Sequence, residues 1–252
     1  MEHQKPVSEN YRVEVCFSPD QFDLYHQSFS AVVAIDVLRA TSAICTAFEH
    51  GVKEVIPVST IEEAKSYQAR GFMVAAERGG EVVEGFDFGN SPYSYMMPEL
   101  KGKTVVITTT NGTRAINTAA KDHKVYIGSF INLQVVIDKL LAEPEDVLLL
   151  ASGWQGKFNL EDSICAGAIA DALLLSGKYR SEEDSTIASR FLYEKARVNY
   201  FGFLKASSHR RRLRRLNLNR DIRYCLSPNT SRVLPVYRDG ALVNSALPVK
   251  SQ

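Results

Sequence analysis

The stretch that decides the fold is residues 31–42, which reads AVVAIDVLRATS. Its first five residues, Ala31–Ile35, are apolar without interruption, which is typical of a strand buried on both faces of a parallel sheet. The run ends at Asp36, and residues 41–50 then have the apolar spacing of a helix that stops at Gly51. A buried strand followed closely by a helix predicts an α/β protein.

The same alternation continues along the chain. Further strands are predicted at residues 12–17, 54–58, 72–76, 104–108, 124–127 and 146–151. Further helices are predicted at residues 60–70, 111–120, 131–142, 160–175, 182–200 and 207–216. Residues 232–236 and 241–243 flank an Arg-Asp-Gly turn and predict a closing hairpin. We expect a mostly parallel sheet with some antiparallel edges and with helices on its faces.

Length and composition favour one large domain. The chain has 252 residues, 45% of them apolar and 23% charged, which suits a single α/β domain over residues 11–245, or two packed halves of about 11–120 and 121–245. Residues 1–10 are polar and are predicted to form a disordered tail.

Net charge and hydropathy limit the expected partners. A net charge of +1 gives no global field that would attract nucleic acid or an anionic membrane, so neither is expected. No apolar run reaches the roughly 18–20 residues of a membrane span, and no secretory signal is recognised, so the cytoplasm is the expected compartment. The four cysteines show no CxxC spacing, and a zinc site is not expected.

Four predicted strands are followed by polar segments that are unusual for simple turns. These segments are residues 36–42 (DVLRATS), 77–80 (ERGG), 109–114 (TTNGTR) and 152–157 (SGWQGK). Open α/β sheets bind ligands in the crevice at the carboxyl ends of their strands, where helix N-termini also present free N–H groups to anions. The sequence therefore predicts an anion-binding site at these strand ends.

The candidates for substrate binding are small residues, hydroxyls and amides. They are Thr41, Ser42, Gly79, Asn90, Ser91, Thr110, Asn111, Gly112, Thr113 and Gly156. Each also has an ordinary structural explanation, because hydroxyl and amide side chains cap helices and glycines make turns. Residues 108–113 are similar to a phosphate cradle, but the GK[ST] ending of a Walker P-loop is absent.

Three carboxylates are candidate ligands of Mg²⁺: Asp36, Glu161 and Asp162, with Glu77 as an alternative. Mg²⁺ prefers hard oxygen ligands and usually takes one or two carboxylates together with phosphate and water. A structural explanation stays open for each group. Asp36 could accept hydrogen bonds within a turn, and acids in the first turn of a helix complement its dipole.

Two arginines complete the candidate site. Arg39 lies between apolar neighbours, where a planar group with five donors needs a partner, and Arg78 follows Glu77 directly. We predict catalytic roles for Asp36, Arg39, Glu77 and Arg78. Residues 209–215 form an Arg-rich run that begins at His209 and is predicted to be a solvated helix face, with nucleic-acid binding as the weaker alternative.

Several of these motifs occur in series in a known family. They are residues 36–42, 77–80, 85–92 (GFDFGNSP), 109–114 and 160–168 (LEDSICAGA), together with 207–209 and 221–225 near the C-terminus. In order and spacing, from about residue 12 to about residue 243, they resemble the 2-phosphosulfolactate phosphatase (ComB) family.

The resemblance implies a three-layer α/β/α fold with a mixed, mostly parallel sheet, and a homodimer. It also implies Mg²⁺-dependent hydrolysis of (R)-2-phospho-3-sulfolactate to 3-sulfolactate and phosphate, a reaction of coenzyme M biosynthesis in methanogens. The alternatives are a phosphatase of the same fold for another small phosphorylated hydroxy acid, and a non-catalytic sensor of a small anion.

Overall fold

The computed structural model describes residues 10–25 and 29–245. The predicted tail at residues 1–10 falls, except for residue 10, outside the described residues. The strands are β1 Tyr11–Cys16, β2 Ala31–Ile35, β3 Glu54–Pro57, β4 Met73–Arg78, β5 Glu81–Val82, β6 Thr104–Thr108, β7 Lys124–Gly128, β8 Val147–Ala151, β9 Tyr179–Arg180, β10 Pro235–Arg238 and β11 Ala241–Asn244. The helices are α1 Ala40–Glu49, α2 Ile61–Ala69, α3 Gly112–Ala119, α4 Leu133–Ala142, α5 Leu160–Leu175, α6 Asp184–Ala196, α7 Tyr200–Phe203, α8 Ser208–Arg215 and α9 Asn219–Cys225.

The described strands form one mixed sheet in the order β5-β4-β6-β3-β11-β10-β7-β2-β8-β1-β9. Pairing is parallel within β4-β6-β3 and within β7-β2-β8-β1-β9. The closing hairpin β10–β11 pairs antiparallel with β7 on one side and with β3 on the other. The three-layer α/β/α arrangement and the mostly parallel sheet agree with expectation. The antiparallel pairs were expected only at the edges, but the hairpin occupies the middle of the sheet.

Three antiparallel steps separate β3 from β7, so the two parallel segments run in opposite directions where they meet. One hydrophobic core nevertheless contains Val32 and Leu148 from one segment and Val55 and Ile107 from the other. Ile44 of α1 lies in the same core. The sheet therefore curls around α1 and α3, as the right-handed twist of strands allows, and this brings strand ends from both segments together.

The opposite face of the second segment is covered by a separate core. In β2, Val33 and Ile35 face the core that contains α4 and α5, whereas Val32 and Ala34 face the core of α1 and α3. This two-sided burial is the reason for the uninterrupted apolar run at Ala31–Ile35. A third, smaller core packs α2 on the outer face of β4 and β6.

Local signals place most helix ends correctly. Thr60 caps α2 by accepting a hydrogen bond from the Glu63 N–H at 3.1 Å, as its sequence position predicts. The helix expected at residues 182–200 is shorter, because it ends at Ala196 and a new turn begins after Asn199, whose side chain caps α7. None of the helices in the described part of the chain is both long and apolar enough to span a membrane.

Candidate functional site

Asp36 follows β2 directly and is almost fully buried, with 8% of its surface exposed. One oxygen, Oδ1, accepts a hydrogen bond from the Ala40 N–H at 3.3 Å. Thr41 and Ser42 are fully buried, and their hydroxyls donate to the carbonyls of Asp36 and Val37, each at 2.8 Å. These two hydroxyls thus hold the turn after β2, and their predicted contact with substrate stays a prediction.

Arg39 is buried on the same turn, and its guanidinium is already engaged. Nη1 donates to Asp221 Oδ2 at 2.7 Å, and Nη2 donates to the Gly80 carbonyl at 2.7 Å. Arg39 and Asp221 are 4% and 5% exposed, so this ion pair is shielded from solvent. The pair supplies the partner that an arginine among apolar residues requires, and it ties the β2 turn to α9 and to the turn after β4.

Glu77, near the end of β4, organises two neighbouring turns. Its carboxylate accepts hydrogen bonds from the Gly80 N–H at 2.5 Å and from the Thr110 N–H at 3.2 Å. The Asn90 amide donates to the same group at 3.4 Å, and the Gly79 N–H donates to Thr110 Oγ1 at 3.2 Å. Three of the predicted site residues, Gly79, Asn90 and Thr110, are therefore brought together around the Glu77 carboxylate.

The remaining candidates have different surroundings. Gly112 lies against Asp36, because a Cβ at this position would be 2.8 Å from Asp36 Oδ2 and 2.5 Å from the Ala40 Cβ. Gly156 has a φ of +75°, and a Cβ there would collide with the Asp20 carboxylate. Both features explain why this position requires glycine. Ser91 precedes a 3-10 helix at Pro92–Met96 and makes no side-chain capping bond.

Glu161, in the first turn of α5, is completely buried and pairs with His209 of α8. His209 Nδ1 lies 2.5 Å from Glu161 Oε1, and Ser207 Oγ donates to Glu161 Oε2 at 3.2 Å. The His209 ring is 6% exposed and lies 5.0 Å from the Trp154 ring. The expectation of a solvated face at residues 209–215 is therefore wrong at its start, since His209 and Arg210 are both buried.

These groups meet in one small cavity of about 10 Å³, which we call the acid pocket. Its lining consists of Asp36, Leu38, Arg39, Glu77, Gly80, Asn90, Asn111, Trp154, His209 and Leu213. Sequence reasoning missed His209 because the arginines after it suggested exposure. A usable signal was present, since His209, Leu213 and Leu216 recur at the spacing of one helix face.

The ionisable groups in and beside the acid pocket shift one another's pKa values. Burial raises the pKa of Asp36 to about 6, with a further increase from the charges of Glu77 and Glu161, while the charge of His209 acts in the opposite direction. Burial also opposes ionisation of Glu161, but the hydrogen bond and charge of His209, with weaker help from Ser207, leave its pKa lowered overall. His209 in the pocket wall is therefore paired with an ionised Glu161 outside the pocket lining, and Asp36 in the same wall titrates near pH 6.

The candidate ligands fit Mg²⁺ unequally. Asp36 and Glu77 both line the acid pocket, and a cation there would offset both the burial of the Asp36 charge and its repulsion by Glu77, which raise the pKa of Asp36. Asp162 does not line the pocket, and its carboxylate joins two strand-end turns by accepting N–H bonds from Val37 at 2.8 Å, Gly153 at 3.2 Å and the Asn159 amide at 2.7 Å. Within residues 10–25 and 29–245, no three His, Cys, Asp or Glu side chains already form a metal cluster.

A second and larger depression, the cationic cleft, adjoins the acid pocket and has a volume of about 380 Å³. It is lined by Ser59, Arg78, Thr109, Thr110, Thr113, Arg114, Asn117, Thr118 and Lys121. Arg78 is held in place because Nη1 donates to the Glu77 carbonyl at 2.6 Å and Nη2 to Thr108 Oγ1 at 2.9 Å. Fold and site together thus define an α/β protein with a buried acid–imidazole pocket beside a cleft lined by cationic side chains.

Comparison with known proteins identifies the family. The model of the family described as 2-phosphosulpholactate phosphatase matches residues 16–240. A protein named probable 2-phosphosulfolactate phosphatase from Caldanaerobacter subterraneus subsp. tengcongensis is 39% identical over 218 residues, which cover 85% of this chain and 90% of the relative. A relative of the same name from Clostridium acetobutylicum is 35% identical, and the match covers 92% of this chain and 100% of the relative. Another from Picosynechococcus sp. is 38% identical, and the match covers 84% of this chain and 90% of the relative. The chain belongs to the 2-phosphosulfolactate phosphatase family, which is a family of phosphoric monoester hydrolases.

Proposed function

We propose that this chain hydrolyses 2-phospho-3-sulfolactate to 3-sulfolactate and inorganic phosphate. The observation that carries the proposal is that His209, which is paired with the buried Glu161, lines the same small pocket as Asp36. The names of the relatives support the choice of substrate.

The charge distribution suits such a substrate. A phosphate, a sulfonate and a carboxylate together bring about four negative charges near neutral pH. Arg78, Arg114 and Lys121 of the cationic cleft can offset part of this charge. Phosphoryl transfer needs little covalent chemistry from the protein and depends mainly on positioning and charge neutralisation.

His209 is the residue we assign to proton transfer at the leaving group. Glu161 accepts a hydrogen bond from Nδ1–H, which orients the ring and leaves Nε2 for the pocket. As the bond between phosphorus and the lactate oxygen breaks, His209 Nε2 gives its proton to that oxygen. The proton assignment at Nδ1 follows from the carboxylate partner, as it does in other carboxylate–histidine pairs.

Asp36 is assigned the role of the general base, and water is the nucleophile. Its carboxylate orients the attacking water and takes the proton that the water loses as it bonds to phosphorus. Solvent then returns that proton to His209, so the net reaction consumes one water and forms an alcohol and phosphate. Glu77 and Arg39 act as positioning residues, since their hydrogen bonds fix the three turns that surround the pocket.

Mg²⁺ is part of the proposal, and Asp36 and Glu77 are the carboxylates that would hold it. The ion would neutralise charge on the non-bridging phosphate oxygens. A test is phosphate release from 2-phospho-3-sulfolactate before and after EDTA treatment, with Mg²⁺ added back. We expect loss and recovery of activity. Full activity in EDTA would remove Mg²⁺ from the proposal but would leave the phosphatase assignment standing.

We infer further that the enzyme acts in the cytoplasm as a homodimer. Sedimentation would test the assembly, and the expected mass is twice the 28.1 kDa of one chain. A single species at the mass of one chain, at concentrations that support activity, would contradict it.

A further inference from the structure

The acid pocket and the cationic cleft differ in size in a way that decides where the substrate lies. The acid pocket, at about 10 Å³, has room for roughly one water-sized group. The cationic cleft, at about 380 Å³, has the volume of a site for a small molecule. Only the reacting end of a phosphoester can therefore meet the acid pocket, and the rest of the molecule needs a neighbouring surface.

The cationic cleft offers that surface because the two cavities share a wall. Glu77 lines the acid pocket and Arg78 lines the cleft, as expected for consecutive residues of a strand, whose side chains alternate in direction. In the loop between β6 and α3, Thr110 likewise lines the cleft and the next residue, Asn111, lines the acid pocket. Thr110 also donates its N–H to Glu77, so the wall is held together by hydrogen bonds.

The lining of the cleft has the chemistry of an oxyanion site. Its charged members are Arg78, Arg114 and Lys121, and its other members are hydroxyl and amide side chains. Arg114 is partly neutralised by Asp20 at the rim, with both side chains about half exposed. Lys121 is exposed and has no ion-pair partner among the residues that the structure describes. At least two cationic charges thus remain for a ligand.

We propose that the cationic cleft is the subsite for the sulfonate-bearing end of the substrate, with Lys121 and Arg78 as its main cations. The proposal rests on the proposed function, which places the phosphoryl group at the acid pocket. Lys121 then acts in binding and specificity, at a distance from the reacting atoms. Asn117 lies at the edge of the cleft, where its amide donates to the Pro57 carbonyl and to Ser59 Oγ, so its two N–H donors are already used and the cations carry the binding.

The test compares two substrates that differ only in the sulfonate: 2-phospho-3-sulfolactate and 2-phospholactate. In Lys121→Glu, we expect KM for the sulfonated substrate to rise about five- to tenfold, as for the reversal of one partly exposed charge. KM for 2-phospholactate should change less than twofold, and kcat should stay within twofold for both. Lys121→Arg should restore the sulfonated KM. Lys195→Glu is the matched control, because Lys195 is an exposed lysine in the last turn of α6.

Binding of 3-sulfolactate, measured by calorimetry, gives a readout that does not depend on turnover. Lys121→Glu should weaken this binding about five- to tenfold while Lys195→Glu leaves it unchanged. An equal rise in KM for both substrates would overturn the proposal, because the cleft would then hold the phosphoryl group. Unchanged KM and unchanged sulfolactate binding would overturn it as well. If the wild-type protein binds 3-sulfolactate through Lys121 but hydrolyses no phosphoester, the proposed function fails and the subsite stands.

Discussion

The acid pocket and the cationic cleft adjoin each other, yet they are built in opposite ways. In the acid pocket, Asp36, Glu77 and His209 are each less than a tenth exposed. In the cleft, Arg114 and Lys121 are exposed, and the volume is far larger. Groups that move protons need fixed positions and little water, whereas groups that capture an anion need to remain accessible.

The two regions also differ in their effect on stability. A buried carboxylate whose pKa is raised makes the folded state less stable when it is ionised, and Asp36 is such a group. Exposed cations change the stability of the folded state little, because solvent screens their charges. Mutations in the acid pocket should therefore change both activity and stability, whereas mutations in the cleft should change substrate binding alone.

The largest effect is expected for His209→Asn. Asparagine can keep a hydrogen bond to Glu161 but cannot transfer a proton, so kcat should fall by about 10²–10⁴-fold with little change in KM. Initial rates of phosphate release measure this effect. His50→Asn, at the exposed C-cap of α1, is the control and should match the wild type. A His209→Asn enzyme with wild-type kcat would remove the proton-transfer role.

A comparison of two ion pairs should show the difference in burial directly. Asp221→Asn leaves Arg39 buried without a compensating charge and should lower the free energy of unfolding by about 3–5 kcal/mol. Asp20→Asn breaks the half-exposed pair with Arg114 and should lower it by less than about 1 kcal/mol. Urea unfolding of both variants measures the two values. An equal loss of unfolding free energy in the two variants would contradict the difference in burial between the two ion pairs.

Asp36→Asn should inactivate the enzyme and yet stabilise it at alkaline pH. The pKa of Asp36 is raised from 3.8 to about 6, so its ionisation destabilises the folded state increasingly as pH rises from about 4 to above 6. The shift of about two units corresponds to about 2–3 kcal/mol. We expect the variant to be more stable than the wild type at pH 8 by roughly this amount, and equally stable near pH 4. A constant difference between the two pH values would contradict the assignment.

The pH dependence of activity is the smallest of these effects. If ionised Asp36 is required, kcat/KM of the wild type should decrease as pH falls through the pKa of Asp36, which is about 6 without a cation and lower with Mg²⁺ bound, and by about tenfold per unit well below that pKa. Initial rates between pH 5 and 8, at low and at saturating Mg²⁺, measure this decrease. A flat profile at low Mg²⁺ would exclude Asp36 as the group that accepts the proton.

Much of the fold could be predicted because local sequence determines it. The apolar run Ala31–Ile35 and the cap at Thr60 depend on residues that are neighbours in the chain. Strands β5 and β9 have two residues each, too few to show a period. The hairpin was predicted, but its place in the middle of the sheet depends on pairing with β3 and β7, which lie more than 100 residues earlier in the chain.

The site could be predicted where it follows strand ends and could not where it depends on tertiary packing. Asp36 and Glu77 follow their strands, and the sequence pointed to both. His209 and Asp221 reach the site from the C-terminal helices, 48 residues from Glu161 and 182 residues from Arg39. The need for an Arg39 partner was visible in the sequence, but many acids could have met it.

The measurement that tests the central claim most directly is hydrolysis of 2-phospho-3-sulfolactate by the wild-type enzyme in ¹⁸O-labelled water. Attack of water at phosphorus within the acid pocket predicts release of phosphate that carries one ¹⁸O atom, with no label in 3-sulfolactate. Label in 3-sulfolactate would place the attack at carbon, and no release of phosphate would contradict the phosphatase assignment itself.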